Sequence, residues 1–169
     1  MLAARLRARC GSSRRVGVTE AVGFDIAFDK IGQDGSGKAT LVAAPGHSVP
    51  GVLYELDADD LGVLDQIEGV GRGYDRIALG LGGQQALAYI APPAFRDPVM
   101  RPFDWYLALV MAGAAEAGLP AHWIRLLAAQ ASISDPEPDR PRRIEALALL
   151  ATGAGLRDMQ GNAGLPATD

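Results

Sequence analysis

Short strand-like stretches, separated by turns that contain glycine or proline, occupy most of the chain between residues 22 and 91. The strand patterns fall at 22–30, 38–44, 49–56, 74–81 and 85–91, and a single helical pattern interrupts them. Strands that follow one another through such short turns usually pair as antiparallel neighbours. We therefore expect an α+β fold in which a mixed or antiparallel sheet curls into a small β-barrel, with helices packed outside it.

The helix between the third and fourth strand patterns has clear signals at both ends. Asp57 is a favourable N-cap, and Gly69 ends the pattern as a C-terminal glycine commonly does. Apolar residues recur between them at helical spacing. They predict a buried stripe of Leu61, Leu64 and Ile67.

Beyond residue 91 the pattern becomes helical, with helices predicted over 103–117, 120–130 and 144–151. Three prolines between 132 and 143 indicate a linker, and the last sixteen residues carry no regular pattern. We therefore expect one domain over residues 1–130. A C-terminal linker, a short helix and a frayed tail would make up residues 131–169.

Charge and composition argue against several classes of function. The 169 residues carry a formal net charge of −4, which is unfavourable for binding nucleic acid. Cys10 is the sole cysteine, and His47 and His122 lie far apart, so we expect neither a disulfide nor a metal centre. No apolar run reaches the roughly 18–20 residues of a membrane span. We expect a cytoplasmic protein without a membrane partner.

The first eighteen residues contain five arginines, two serines and no acidic residue. That composition is typical of a mitochondrial transit peptide. The spacing of Leu2 and Leu6 also fits a short basic helix at the edge of the fold, ended by Cys10 and Gly11. Of the two interpretations we favour the helix.

Residues 32–39 imitate a phosphate-binding loop, because Gly32, Gly37 and Lys38 have its spacing. Ala39, however, stands where such a loop needs a serine or threonine to hold Mg²⁺. A strand pattern follows it, whereas a phosphate loop leads into a helix. We interpret the segment as a hairpin turn and do not expect a nucleotide site.

A carboxylate stands in an awkward place at the end of the predicted helix. Residues 64–70 read Leu-Asp-Gln-Ile-Glu-Gly-Val, so Glu68 is next to the terminal glycine. A negative charge at a helix C-terminus is disfavoured by a few tenths to about 1 kcal/mol. The same field raises the pKa of the carboxyl group and attracts an ammonium group. Glu68 is therefore a candidate functional residue, and from these local residues alone a surface position is an equally good interpretation.

Several short motifs occur in a defined order from the N-terminus to about residue 130. They are Gly23-Phe24 and Phe28, Gly37-Lys38-Ala39-Thr40, Pro45, Gly51-Val52-Leu53-Tyr54, Leu64-Asp65 with Glu68-Gly69-Val70, Gly73-Tyr74, Tyr89, Tyr106, Gly113-Ala114 and Gly118-Leu119-Pro120. Each motif alone is weak evidence, whereas the ordered set is fairly specific. It resembles the γ-glutamylcyclotransferase family, which is also called the AIG2-like or BtrG-like fold.

The resemblance implies an enzyme that acts on a γ-glutamyl amine or γ-glutamyl peptide and needs no cofactor or metal. The substrate's own α-amine attacks its γ-carbonyl, which releases the amine and leaves 5-oxoproline. By the same resemblance Glu68 is the general acid/base, and Tyr106 and Tyr74 contact the substrate. Glutathione, a γ-glutamyl amino acid and a γ-glutamylamine all present the same reacting end, so the leaving group stays open.

The family's first strand ends in a Tyr-Gly-Ser-Asn segment that binds the glutamyl part of the substrate. Met1 falls just after the place of that segment. We expect that this start lies at an internal methionine of a longer protein. The alternative is a true loss, which would leave a sheet edge unpaired. The protein would then be a non-catalytic small-ligand-binding or interaction protein of the same fold.

Overall fold

The computed structural model of the protein describes residues 2–81 and 83–161, with side chains described as far as residue 153. The helices in this part of the chain are α1 (Ala3–Arg9), α2 (Ala58–Glu68), α3 (Asp104–Glu116), α4 (Ala121–Ala128) and α5 (Pro141–Gly161). The strands are β1 (Arg14–Ile31), β2 (Gly37–Glu55), β3 (Asp75–Leu81) and β4 (Gln84–Ile90). The predicted basic helix at the N-terminus is confirmed as α1.

The first two strands form one long antiparallel ribbon. It runs from the Arg14–Glu55 pair to the Ile31–Gly37 pair. Residues 32–36 make the connection between the strands, which confirms the predicted hairpin turn. Both strands are longer than their sequence patterns, because pairing with a neighbour keeps the backbone extended beyond the alternating stretch.

A turn predicted at residues 45–46 is wrong, since β2 continues through them. The ladder is irregular at this point: Phe24 pairs with Ala43, whereas Val22 pairs with Ser48. Extra residues on one strand of a pair are accommodated as a bulge, which bends the ribbon without ending it. The second and third predicted strands are therefore parts of a single strand.

The second sheet is the hairpin of β3 and β4, in which Asp75 pairs with Ile90 and Leu81 with Gln84. The predicted barrel is wrong for residues 2–81 and 83–161, where the strands form two separate two-stranded sheets and no closed barrel. A barrel requires backbone ladders around its whole circumference. Here a side chain links the sheets instead, because the Ala91 N–H donates to the Thr40 hydroxyl at 2.8 Å. The α+β class itself is confirmed.

Helices α3 and α4 pack against the β1–β2 ribbon and bury the main apolar core. Its buried members are Ala21, Phe28, Val49, Leu107, Ala114, Leu119, Trp123 and Leu127. Burying each large apolar side chain contributes about 1.5–3 kcal/mol. This core makes the ribbon and the two helices one firm support for the rest of the fold.

Helix α5 packs on α3 and on the beginning of the chain. Ala146 is fully buried in a cluster with Leu2, Phe103, Trp105 and Leu109. The helix begins earlier and runs further than the predicted helix over 144–151, because this packing stabilises additional turns. The predicted frayed tail lies in part outside the described residues, namely over 162–169.

A third, smaller cluster fixes α2 against the N-terminal segment. Leu6 and Cys10 are buried against Leu64 of α2. The predicted stripe is only partly confirmed, since Ile67 is 40% exposed rather than buried. Leu64 thus anchors α2, and the last turn of the helix reaches past the cluster.

Candidate active site

The last turn of α2 presents Glu68 at a sharp stop in the helix. Gly69 follows it with φ 73° and ψ 49°, a left-handed conformation that favours glycine. The N–H groups of Gly69 and Val70 both donate to the Asp65 carbonyl at 3.0 Å. This pattern is a common helix C-terminal motif. It confirms the predicted end of α2 and places Glu68 as its final residue.

Glu68 lines a pocket of about 260 Å³ together with Tyr74 and Tyr106. The pocket walls come from α1, both strands of the ribbon, the end of α2, and the beginnings of α3 and α5. All three residues that the sequence analysis selected therefore lie around one cavity. A cavity with a few converging polar groups is the usual setting of a small-molecule site.

Burial raises the pKa of the Glu68 carboxyl above its ordinary value of 4.5. The positive charges of Arg9 and Arg5 oppose that rise but do not cancel it. The negative end of α2 also favours the protonated form. Glu68 can therefore exchange a proton closer to neutral pH than a glutamate on the surface.

Both tyrosines form hydrogen bonds with the backbone of the same residue of β2, Ala39. The Tyr74 hydroxyl donates to the Ala39 carbonyl at 2.7 Å, and the Ala39 N–H donates to the Tyr106 hydroxyl at 3.1 Å. Burial raises the pKa of Tyr106 to about 12 and raises that of Tyr74 as well, so both remain protonated at neutral pH. Within the described part of the chain Tyr106 is not seen to donate, so its O–H can serve a ligand.

Two lysines face each other across the ribbon at the pocket. Lys30 and Lys38 are register partners and both line the cavity. Lys38 donates to the Asp34 carboxylate and to the Ser36 hydroxyl, each at 2.7 Å. Lys30 has its ammonium nitrogen 4.9 Å from the centre of the Tyr74 ring, and no salt bridge to it is found among residues 2–81 and 83–161. The two ammonium groups thus differ: one is neutralised by its neighbour and the other is not.

The lining is strongly cationic, which the sequence analysis missed. Among the described residues, Glu68 is the one acidic residue of the lining, and the basic residues are Arg5, Arg9, Lys30, Lys38, Arg72 and Arg142. No local spacing connects all six positions, because they belong to five different segments and only Arg5 and Arg9 share one, α1. The only signal in the sequence was the N-terminal stretch rich in arginine and free of acids.

Asp65, one turn before Glu68, has different partners. Its carboxylate accepts hydrogen bonds from Arg76 at 2.5 Å and from the Tyr89 hydroxyl at 2.7 Å. Both donors belong to the second sheet. Asp65 therefore ties α2 to that sheet and does not line the pocket.

The remaining residues considered in the sequence lie elsewhere. The exposed His47 pairs with the half-buried Asp25 at 3.3 Å, and Cys10 is buried. Across residues 2–81 and 83–161 no three acidic, histidine or cysteine side chains come together as metal ligands. None of the described helices is both long and apolar enough to cross a bilayer.

Comparison with known proteins gives a family match over part of the chain and a shared fold. Residues 48–127 match the AIG2-like family, and no curated protein matches the sequence. A solved structure named Gamma-glutamyl cyclotransferase is 23% identical with a TM-score of 0.77, and 89% of this chain and 92% of that chain are covered. The uncharacterized protein loc79017 from Homo sapiens has the same identity and coverage and a TM-score of 0.76.

YkqA from Bacillus subtilis is more distant, with 19% identity and a TM-score of 0.58. The match covers 77% of this chain and 49% of YkqA. At these identities the structures show a shared fold. The resemblance predicted from the ordered motifs is therefore confirmed: the chain is AIG2-like over residues 48–127 and has the fold of a γ-glutamylcyclotransferase structure.

Proposed function

We propose that the protein is a γ-glutamylcyclotransferase-type enzyme. It converts a γ-glutamyl amine or peptide into 5-oxoproline and the free amine, without a cofactor. The observation that carries the proposal is the Glu68 carboxylate, which lines a pocket with Tyr74 and Tyr106 and has a pKa raised by burial. The name of the structure with the same fold supports the reaction class.

The first half of the reaction needs a base next to the substrate's α-nitrogen. At neutral pH this nitrogen is an ammonium, so it must lose a proton before its lone pair can attack. Glu68 accepts that proton. The nitrogen then bonds to the γ-carbonyl carbon, and the carbonyl π electrons move onto the oxygen to form a tetrahedral intermediate.

The second half needs an acid next to the leaving nitrogen. The bond between the carbonyl carbon and the leaving nitrogen breaks, its electron pair stays on that nitrogen, and the carbonyl re-forms. Glu68 gives its proton to the leaving nitrogen and then relays a second proton from the new ring nitrogen. Two protons have then crossed between the nitrogens, the products are a lactam and an ammonium, and Glu68 is again a carboxylate.

The surroundings of Glu68 suit this double role. A general acid/base works best when its pKa lies near the working pH, and burial moves the pKa of Glu68 in that direction. Because nucleophile and carbonyl belong to one molecule, a pocket that holds the substrate folded supplies much of the rate. The Tyr106 O–H is placed to donate to a substrate oxygen.

The test is the release of 5-oxoproline from a γ-glutamyl dipeptide by the wild-type chain and by Glu68→Gln. We expect the substitution to lower kcat by about 10²–10⁴-fold, because the amide can neither take nor give the proton. Asp65→Asn is the matched control, since it makes the same change one turn away on α2. Near-wild-type turnover by Glu68→Gln in a folded protein would remove Glu68 from this role.

A non-catalytic binder of the same fold makes a different prediction. Such a protein would be stabilised against heat by a γ-glutamyl dipeptide but would release no 5-oxoproline. Measuring the melting temperature and the product in the same samples therefore separates the two functions.

A further inference from the structure

The charges of the pocket exceed what a γ-glutamyl group needs. That group brings one α-carboxylate, and its α-ammonium is matched by Glu68. Of the six basic residues in the lining, Lys38 is neutralised by Asp34, and Arg5 by Glu145 at 3.2 Å. Four basic residues remain for a single substrate carboxylate, namely Arg9, Lys30, Arg72 and Arg142.

These four residues do not lie equally deep. Lys30 is buried and Arg9 is half-buried, so they belong to the inner part of the pocket that surrounds the reacting end. Arg72 and Arg142 are exposed and stand at the rim, Arg72 in the turn after α2 and Arg142 at the beginning of α5. A leaving group that extends from Glu68 towards the mouth of the pocket can meet a residue at this rim.

The chain holds the first turn of α5 firmly in place. Before Arg142, Arg140 binds Asp135 at 2.8 Å, and the same carboxylate accepts a hydrogen bond from the Trp105 indole at 2.9 Å. After it, Glu145 forms the ion pair with Arg5 of α1. Both Trp105 and Arg5 are themselves pocket residues.

Arg142 lies between these two fixed points, lines the pocket and has no salt bridge within the described residues. Because the helix is anchored on both sides of this arginine, a ligand has to order only the arginine side chain, which reduces the entropy that binding must cost. A guanidinium group prefers a carboxylate, with which it forms two parallel hydrogen bonds.

We propose that Arg142 is a specificity-determining residue that binds a carboxylate on the leaving half of the substrate. The inference rests on the proposed function and deepens it: the preferred substrates are γ-glutamyl compounds of an amino acid or peptide, rather than γ-glutamylamines. The C-terminal segment is then part of the site, although the sequence pattern marked it as a linker and short helix.

The experiment compares two substrates that differ only in this group, γ-glutamyl-alanine and γ-glutamyl-ethylamide. We expect the wild-type chain to have about a tenfold higher kcat/KM for the alanine compound. Arg142→Gln should remove that preference by lowering kcat/KM for the alanine compound alone. Arg143→Gln is the matched control, because Arg143 donates to the Pro138 carbonyl at 2.7 Å and does not line the pocket.

Calorimetric binding of both compounds to the same three proteins separates this inference from the proposed function. Turnover of both substrates at equal kcat/KM would overturn the role of Arg142 and leave the reaction standing. Selective binding of the alanine compound, dependent on Arg142 but without turnover, would support the carboxylate subsite and overturn the reaction. Equal losses for both compounds in Arg142→Gln would show a structural effect and overturn the role in selectivity.

Discussion

Asp65 and Glu68 lie one turn apart on α2, yet their carboxylates have opposite surroundings. Asp65 accepts hydrogen bonds from Arg76 and Tyr89 of the second sheet. Glu68 lines a cationic pocket, and its carboxylate forms no hydrogen bond or salt bridge with any described residue. The first carboxylate stabilises the packing of the helix, whereas the second is left to meet a ligand.

The comparison teaches how one helix can serve structure and chemistry at once. Leu64 and Asp65 fasten α2 to the N-terminal segment and to the second sheet. The last turn then projects beyond these contacts and stops at Gly69. A carboxylate at that stop extends from an anchored helix and has no partner of its own in the part of the chain that the structure describes, which is what proton transfer requires.

Of the variants that test the contrast between Asp65 and Glu68, we expect Glu68→Asp to have the largest effect, which is on the rate of catalysis. The change keeps the charge but withdraws the carboxylate by one methylene, and a misplacement of about 1 Å can cost about 10²-fold in rate. We expect kcat for 5-oxoproline release to fall by about that factor, as measured from initial rates. A rate within about twofold of wild type would show that catalysis does not depend on the exact position of the carboxylate at the end of α2.

Asp65→Ala should produce the next largest effect, on stability rather than rate. Arg76 and Tyr89 both lose their acceptor, which we expect to lower the free energy of unfolding by about 1–3 kcal/mol. Urea denaturation monitored by circular dichroism measures the change. Asp59→Ala, in the exposed first turn of the same helix, should cost only about 0.3–1 kcal/mol. Equal losses in the two variants would contradict the structural role of Asp65.

Gly62 within α2 and Gly69 directly after it offer a third test, because alanine should have opposite effects on stability at the two positions. A Cβ atom would meet nothing within 4 Å at either Gly62 or Gly69, so steric crowding does not distinguish them. Gly69 has φ 73°, and alanine there should lower the free energy of unfolding by about 1 kcal/mol. Gly62 lies within the helix, where alanine should raise it by up to about 1 kcal/mol.

The smallest effect concerns the pH dependence of stability. Since the folded pKa of Glu68 is raised, the folded state holds a proton that the unfolded state releases first. Stability therefore falls as the pH rises from the ordinary pKa of 4.5 through the raised value. Glu68→Gln should melt at a higher temperature than wild type at pH 7, and the difference should vanish below pH 4.5. If Glu68→Gln melted at a lower temperature than wild type at pH 7, that result would contradict a raised pKa of Glu68.

Local signals in the sequence were enough to locate the proposed base. Gly69 marks the end of α2, and the alternating pattern after Tyr74 marks the second hairpin. Both depend on backbone preferences over a few residues, which a single sequence records directly. The same is true of α1 and α3, whose apolar residues recur at helical spacing.

Features that depend on contacts between distant residues could not be predicted. The continuation of β2 through residues 45–46 follows from its pairing with β1, and the length of α5 follows from packing around Ala146. The cationic lining is the clearest case, because Arg9 and Arg142 meet only in the folded chain. Arg9 lies in the N-terminal stretch that is rich in arginine and free of acids, whereas nothing in the sequence around Arg142 distinguishes it from an ordinary surface arginine.

The placement of the two tryptophans has a practical consequence for following the site in solution. Trp123 is buried in the main core, whereas Trp105 lies in the pocket wall with the Lys38 ammonium 5.4 Å from its ring. Indole fluorescence responds to nearby charge. Trp105 is thus a built-in optical reporter, and an anion that enters beside it should change the emission without any added label.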